Sequence, residues 1–150
     1  MEIVTAEIHE LNVIGVRDKL TAFFELTKPR IAFMLVLTSA AGFYLGTANG
    51  FDVLLFVNSM LGITFLAFGV ATLNQHWERK IDLLMERTAK RPLPTKRVSP
   101  KEALVFGVLL CLGAEIYLLV FVNVLTAVLG LIVIVGYVLL YTPLKTRTSI

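Results

Sequence analysis

Three oxygen-bearing side chains recur at every fourth position in segment 74–82 of this 150-residue chain. They belong to Asn74, Glu78 and Asp82, and on a helix that spacing places them along one face. We call them the acidic stripe. Their two carboxylates repel each other unless a cation lies nearby, and Mg²⁺ prefers oxygen ligands, typically one or two carboxylates together with substrate phosphates. The spacing therefore indicates a Mg²⁺ site that also takes a phosphorylated ligand.

A simpler interpretation of the same segment is a solvated helix end that carries ion pairs. Arg79 and Asp82 are three positions apart and could pair across one turn. Lys80 is close by, and Glu86 follows one turn later. Acidic residues at every fourth position also arise by chance, so the spacing alone leaves both interpretations open.

Basic residues follow the acidic stripe at positions 87, 90, 91, 96 and 97. They could bind diphosphate oxygens and stabilise the charge that develops on a leaving group. Equally, they could be an ordinary cytoplasmic basic loop that attracts anionic lipid. A short basic loop without a fold of its own is a poor indication of nucleic-acid binding, and we expect no nucleic-acid partner.

Three further side chains invite a chemical interpretation. Glu115 interrupts an apolar stretch, where an ionisable group is either functional or a structural, hydrogen-bonded carboxyl. His76 could ligate heme or a metal, although a lone histidine at an interface more often does neither. Cys111 is the single cysteine, so no disulfide or cysteine-based metal site can form within the chain, and we expect it to be a small apolar residue in a helix.

The composition places these residues in a membrane protein. The chain is 57% hydrophobic and 17% charged, whereas soluble domains have about 45–50% apolar and about 25% charged residues. A membrane span needs about 20 mostly apolar residues. We therefore predict an all-α, polytopic transmembrane helix bundle in the lipid bilayer, with spans at 31–49, 53–75, 103–121 and 124–142.

The basic residues predict the orientation of these spans. All 14 Lys and Arg precede the first span, lie between the second and third, or follow the fourth. Because basic loops stay cytoplasmic, we place both ends and the 76–102 loop in the cytoplasm. Segment 1–27 is a cytoplasmic N-terminal segment, either a helix on the membrane surface or a frayed tail. Its early glutamates do not fit a signal or transit peptide, and a bacterial plasma membrane fits best.

Local signals predict where the helices begin and end. Pro29 suits the first turn of a helix. The second helix can continue into the cytoplasm through 76–90, whereas Pro92 and Pro94 exclude regular helix after it. Ser99 and Glu102, with Pro100 between them, predict a capping box at the start of the third span.

The string at 77–94 resembles the heme O synthase branch of the intramembrane prenyltransferase superfamily. It contains the elements E-R-x-I-D, M-x-R-T and R-P-L-P. The motifs T-K-P-R at 27–30 and Y-T-P-L-K at 141–145 fit the same branch, so the resemblance covers about residues 20–150. Most other branches have Asp where this chain has Glu78. Related enzymes often have adjacent Lys-Arg after the fourth span, but here Thr146 separates Lys145 from Arg147.

The resemblance implies a fold, a reaction and a set of site residues. The fold has about nine spans, of which residues 28–150 would be the first part with about four, and a second acidic motif lies in the C-terminal half. Mg²⁺ held by Asn74, Glu78 and Asp82 would bind farnesyl diphosphate, and the farnesyl group would pass to a vinyl group of protoheme IX (heme B), giving heme O. The implied diphosphate contacts are Arg87, Arg91 and Lys145. We expect the chain to be a fragment or truncated product that is inactive alone.

Two other functions remain open on the sequence. One is a prenyltransferase of the same superfamily with a quinone-type aromatic acceptor, against which Glu78 and R-P-L-P argue. The other is a non-catalytic four-helix membrane scaffold or transport subunit, which would show no Mg²⁺-dependent binding of a prenyl diphosphate.

Overall fold

The computed structural model describes residues 15–47, 50–141 and 144, and every regular element within them is helical. The prediction of an all-α fold is confirmed. A seven-residue π-helix, Val135–Tyr141, continues the last α-helix directly. The α-helices, in chain order, are α1 (Val16–Leu26), α2 (Pro29–Gly46), α3 (Val53–Asp82), α4 (Pro100–Phe121) and α5 (Val124–Ile134).

Three helices are long and apolar enough to cross a membrane, namely α2, α3 and α4, with mean hydropathies of 1.3, 2.1 and 2.5. The fourth predicted span corresponds to α5 and its π-helical continuation, which is apolar but shorter. Helix α2 begins and ends slightly earlier than the predicted 31–49. Helix α3 runs beyond the predicted end at residue 75, and its last two turns carry the acidic stripe. The chain is a multi-pass membrane protein.

Side-chain caps explain where α3 and α4 begin. Asp52 accepts a hydrogen bond from the Leu55 amide at 3.0 Å and caps α3. Ser99 and Glu102 form the predicted capping box, with bonds of 3.2 and 3.0 Å, and Pro100 occupies the first turn of α4. Each cap satisfies amide groups that the first turn of a helix leaves without a partner.

Helices α3 and α4 pack against each other at close range through small residues. A Cβ atom on Gly69 would lie 2.6 Å from the Sγ of Cys111, and one on Gly107 would lie 2.8 Å from a methyl carbon of Leu73. Such close approach is typical of membrane helices. Cys111 is buried in this core, as expected for a small apolar residue.

Helix α1 packs on the loop between α3 and α4. Its buried residues Ala22 and Leu26 contact Leu93 and Val98 of the loop and Ala103 of α4. The helical alternative for the N-terminal segment is therefore correct for the part from Val16 onward, and residues 1–14 lie outside the described residues.

The predicted continuation of α3 beyond residue 75 is confirmed as far as Asp82, where the helix ends before it reaches residue 90. The chain then folds back over the end of the helix. The Thr88 hydroxyl donates to the backbone carbonyl of Asp82 at 2.9 Å, which provides a partner for a carbonyl that the helix end leaves without one.

Candidate functional site

The acidic stripe lies on a buried face at the end of α3. Asn74, Glu78 and Asp82 are 5%, 8% and 4% exposed. The Asn74 amide donates to a Glu78 carboxylate oxygen at 3.1 Å. The structure thus brings the three side chains together along one helix face, and it does not place them on a solvated one.

The partner of Asp82 comes from the loop. Nη1 of Arg91 lies 2.8 and 2.7 Å from the two carboxylate oxygens of Asp82 and 3.7 Å from an oxygen of Glu78. Arg79 instead donates to the backbone carbonyl of His76. The pair between Arg79 and Asp82 that the three-residue spacing allowed is therefore not formed, because the loop carries Arg91 back over the end of the helix.

A polar cavity of about 530 Å³ opens beside the acidic stripe, between the end of α1, the start of α2, α3 and the loop. Two of the predicted diphosphate contacts, Arg87 and Arg91, line this cavity. The third, Lys145, lies outside the described residues. The remaining lining residues are Glu25, Lys28, Ile31, Gln75, Thr88, Lys90 and Pro92.

An apolar groove of about 550 Å³ runs from the same place between α2, α3 and α5. Lys28 and Ile31 line both the polar cavity and this groove, and Asn74 lines the groove at its polar end. The apolar walls include Leu35, Leu66, Ala67, Val70, Leu129 and Val133. A molecule with an anionic head and a long apolar tail matches both parts at once.

Sequence reasoning missed two residues of this region, Lys28 and Gln75. Lys28 caps α2 with a left-handed backbone (φ 49°), which is uncommon for a residue other than glycine and is often found at functional sites. The following Pro29 was the available signal, since proline disfavours the right-handed helical conformation in the residue before it. Gln75 is 2% exposed, and its Oε1 has no hydrogen-bond partner among the described residues.

The structure does not bring Glu115 or His76 into either cavity. Glu115 lies where α4 meets α5, and a Cβ on Gly130 would come within 2.5 Å of its Oε1. In the part of the chain that the structure describes, Glu115 Oε1 and His76 Nδ1 are buried without a hydrogen-bond partner.

Ion pairs hold α1 against the loop and against the start of α4. Arg97 donates to Glu25 at 3.0 Å through Nη1 and again through Nη2, and Lys19 lies 2.6 Å from Glu102. The hydrogen bonds that Arg97 donates to Glu25 raise the pKa of the Arg97 guanidinium, so this group stays charged. Arg97 therefore pairs with Glu25 of α1, whereas Arg91 contacts the acidic stripe.

The fold and the site define a class: a multi-pass helical membrane protein that carries buried carboxylates at the polar end of an apolar groove. Residues 35–150 match the UbiA prenyltransferase family, and the chain belongs to that family. The resemblance noted in the sequence is thereby confirmed.

Several curated proteins with similar sequences are named protoheme IX farnesyltransferase. The chain is 42% identical over 127 residues to protoheme IX farnesyltransferase 1 of Pseudomonas fluorescens, covering 85% of this chain and 42% of that protein. It is 46% identical over 129 residues to the protein of that name in Pseudomonas putida, at 85% and 43% coverage. A protoheme IX farnesyltransferase of Solibacter usitatus is 38% identical over 135 residues, at 84% and 46% coverage. The chain thus spans less than half the length of these curated relatives. No solved structure matches it.

Proposed function

We propose that the full-length protein transfers a farnesyl group from farnesyl diphosphate to a vinyl group of protoheme IX, giving heme O. One observation carries the proposal: a basic cavity and an apolar groove meet at Lys28 and Ile31, beside the acidic stripe. This arrangement suits a prenyl diphosphate, which has an anionic head and an apolar tail. The names of the relatives support farnesyl as the tail and heme as the acceptor.

Mg²⁺ fits the residues at the end of α3. Two carboxylates and an amide offer the hard oxygen ligands that this ion prefers. Nη1 of Arg91 already lies within 2.7 Å of Asp82 and 3.7 Å of Glu78, so the two carboxylates accept a positive charge between them. Asn74, Glu78 and Asp82 would hold the ion, which when bound supplies a Lewis acid and a template for the diphosphate.

The basic residues of the chain would act on the leaving group. Arg87, Arg91 and Lys145 donate hydrogen bonds to diphosphate oxygens and stabilise the charge that grows there. The bond between farnesyl C1 and oxygen breaks, and its electron pair leaves with the diphosphate. The resulting allylic cation lies in the apolar groove, whose walls keep water away from it.

The heme completes the transfer. A vinyl carbon bonds to farnesyl C1, which moves the positive charge onto the other vinyl carbon. A water oxygen adds to that carbon and releases one proton, so that the product carries a hydroxyethylfarnesyl group. Protoheme IX, farnesyl diphosphate and water thus give heme O, diphosphate and one proton.

The proposed location is the plasma membrane of a bacterium, with the N-terminus and the loop between α3 and α4 in the cytoplasm. The distribution of Lys and Arg supports this orientation. It places the polar cavity on the cytoplasmic side, where a soluble diphosphate can leave. Because the chain spans less than half the length of its relatives, we propose the activity for the complete protein and expect none from these 150 residues alone.

The test uses the full-length protein in bacterial cells that lack their own enzyme for this step. We expect Asp82→Asn to lower heme O by about two orders of magnitude or more, since removing a group that stabilises developing charge typically costs ~10²–10³ in rate. Glu86→Gln is the matched control, because Glu86 is exposed in the loop that follows Asp82. Heme O and heme B are measured by chromatography and divided by the amount of folded protein.

Each alternative function predicts a different result. If Asp82→Asn and Glu86→Gln make equal heme O, the acidic stripe has no part in the reaction. If the unmodified protein makes none but prenylates a quinone-type aromatic acceptor, the acceptor is wrong and the donor site stands. A protein that binds no prenyl diphosphate, with or without Mg²⁺, is the non-catalytic scaffold.

A further inference from the structure

Arg91 occupies the place that a divalent cation would need. Its Nη1 lies 2.8 and 2.7 Å from the two oxygens of Asp82 and 3.7 Å from Glu78. Mg²⁺ binds carboxylate oxygens at about 2.0–2.1 Å, so an ion shared by Asp82 and Glu78 would overlap this nitrogen. A metal ion and Arg91 therefore compete for the same carboxylates.

The surroundings disfavour an Arg91 side chain that has left Asp82. The polar cavity that it lines is also lined by Lys28, Arg87 and Lys90, and like charges repel one another. Glu25 is the acidic residue of the lining, and both of its carboxylate oxygens already accept from Arg97. A displaced guanidinium thus gains a new charged partner when an anion enters the cavity.

The pairing geometry leaves Arg91 able to change partners. Only Nη1 contacts Asp82, whereas a guanidinium can present a fork of two parallel donors to a carboxylate. Its Nε and Nη2 groups make no hydrogen bond within residues 15–47, 50–141 and 144. Arg91 therefore lines the cavity while its Nη1 holds the acidic stripe.

We propose that Arg91 couples the binding of the metal to the binding of the diphosphate. The guanidinium balances one of the two negative charges of Asp82 and Glu78 until both ligands arrive, and it then passes from the carboxylates to the diphosphate oxygens. Metal alone must displace Arg91 into a cationic cavity, and diphosphate alone must attract it away from two carboxylates. Each ligand thereby removes the cost of binding the other. The inference rests on the proposed function, because it assumes that both ligands bind at this end of α3.

Such coupling is reciprocal and measurable. If diphosphate tightens metal binding by some factor, the metal must tighten diphosphate binding by the same factor, and typical factors are about 5–150. Replacing Arg91 by a neutral residue removes the group that competes with the metal for the carboxylates. It also removes the group that then binds the diphosphate. Arg91→Gln should therefore bind metal alone more tightly than the unmodified protein, and the coupling factor should fall towards one.

The experiment measures Mn²⁺ binding to the full-length protein in lipid nanodiscs, by the electron paramagnetic resonance signal of free Mn²⁺. The second ligand is the unreactive analogue farnesyl thiodiphosphate. In the unmodified protein we expect the analogue to tighten Mn²⁺ binding about 10-fold, within the usual range of coupling. In Arg91→Gln we expect tighter Mn²⁺ binding without the analogue and little further change with it.

Arg87→Gln is the matched control, because it removes the same charge from the same cavity without contacting the acidic stripe. This variant should bind the analogue more weakly. Its affinity for Mn²⁺ in the absence of the analogue should be unchanged. If both variants raise the affinity for Mn²⁺ equally, the cause is the general positive potential of the cavity, and the proposed exchange of partners by Arg91 is wrong. If Arg91→Gln does not change the affinity for Mn²⁺ in the absence of the analogue, the proposed competition between Arg91 and the metal is wrong.

A conservative variant keeps the test decisive should Arg91→Gln fail to fold. Arg91→Lys retains the charge but not the array of planar donors, so we expect a reduced coupling factor, and an unchanged factor would contradict the proposal. Failure of the proposed function is a separate outcome, in which the unmodified protein binds neither Mn²⁺ nor the analogue. An unmodified protein that binds both without coupling overturns the inference and leaves the function intact.

Discussion

Gln75 donates a hydrogen bond from its side-chain amide to the backbone carbonyl oxygen of Leu26 at 3.1 Å, and so joins α3 to the end of α1. A longer contact of 3.4 Å reaches the carbonyl of Glu25. The last carbonyls of a helix have no partner within it, so Gln75 caps α1 from another element. Since Gln75 follows Asn74 directly, α1 and the turn at Lys28 are tied to the helix that carries the acidic stripe.

Gln75→Leu should loosen α1. The change preserves much of the side-chain volume but removes the donor, and leaving a buried carbonyl unpaired costs about 1–3 kcal/mol. We expect faster hydrogen exchange of the amides in Val16–Leu26, measured by mass spectrometry on the full-length protein. Lys80→Leu, at an exposed position on α3, is the control and should leave that exchange unchanged. Equal protection in both variants would show that the ion pairs and the apolar packing of Ala22 and Leu26 hold α1 without Gln75.

Gly69→Ala should lower the thermal stability of the bundle. The new Cβ would lie 2.6 Å from the Sγ of Cys111 and 2.8 Å from its backbone nitrogen, so α3 and α4 must separate, and overpacking typically costs about 1–3 kcal/mol. Gly113→Ala is the matched control on α4, because nothing lies within 4 Å of its Cβ. It should be neutral or stabilising by about 0.5–1 kcal/mol. Equal melting temperatures in detergent would contradict the close contact.

Gly130→Ala should destabilise the contact between α4 and α5, and Glu115→Ala should relieve the effect. The Cβ on residue 130 would meet Glu115 Oε1 at 2.5 Å, with Leu66 next at 3.2 Å. Removing the carboxyl therefore opens most of the space that the methyl group needs. A double-mutant cycle on thermal unfolding should give an interaction energy of about 0.5–3 kcal/mol. Strict additivity would show that Glu115 is not the residue in the way.

The pair of Arg97 and Glu25 should hold α1 at neutral and alkaline pH alike. Hydrogen bonding to Glu25 raises the pKa of Arg97 above its ordinary value. A base with a raised pKa stabilises the folded state fully below its ordinary pKa, and the contribution is lost only as the pH rises through the raised value. Arginine reaches that point only in strong alkali.

We therefore expect the protection of α1, corrected for the intrinsic pH dependence of exchange, to stay constant from neutral to moderately alkaline pH. Glu25→Gln should lower the free energy of protection of α1 by a similar amount across this pH range. The decrease should be no more than about 1 kcal/mol for a pair this exposed. Protection that falls at mildly alkaline pH would point to another titrating group.

Local sequence signals predicted the helical elements well. Pro29 and the Ser99–Glu102 capping box lie at the starts of α2 and α4, because caps and first-turn prolines depend on neighbouring residues only. The length of α3 was harder to predict. Nothing within 76–90 stops a helix, and α3 ends at Asp82 where Thr88 and Arg91 fold back onto that residue.

The class of protein, the membrane helices and the periodicity that aligns Asn74, Glu78 and Asp82 could all be predicted, since they follow from hydropathy and from a repeat of 3.6 residues per turn. The partners of these side chains could not. Arg91 reaches Asp82 from nine positions away, and Gln75 reaches Leu26 from 49. The joining of polar cavity and apolar groove at Lys28 also depends on the paths of several helices. Such contacts depend on how the whole chain packs, and no local spacing encodes that packing.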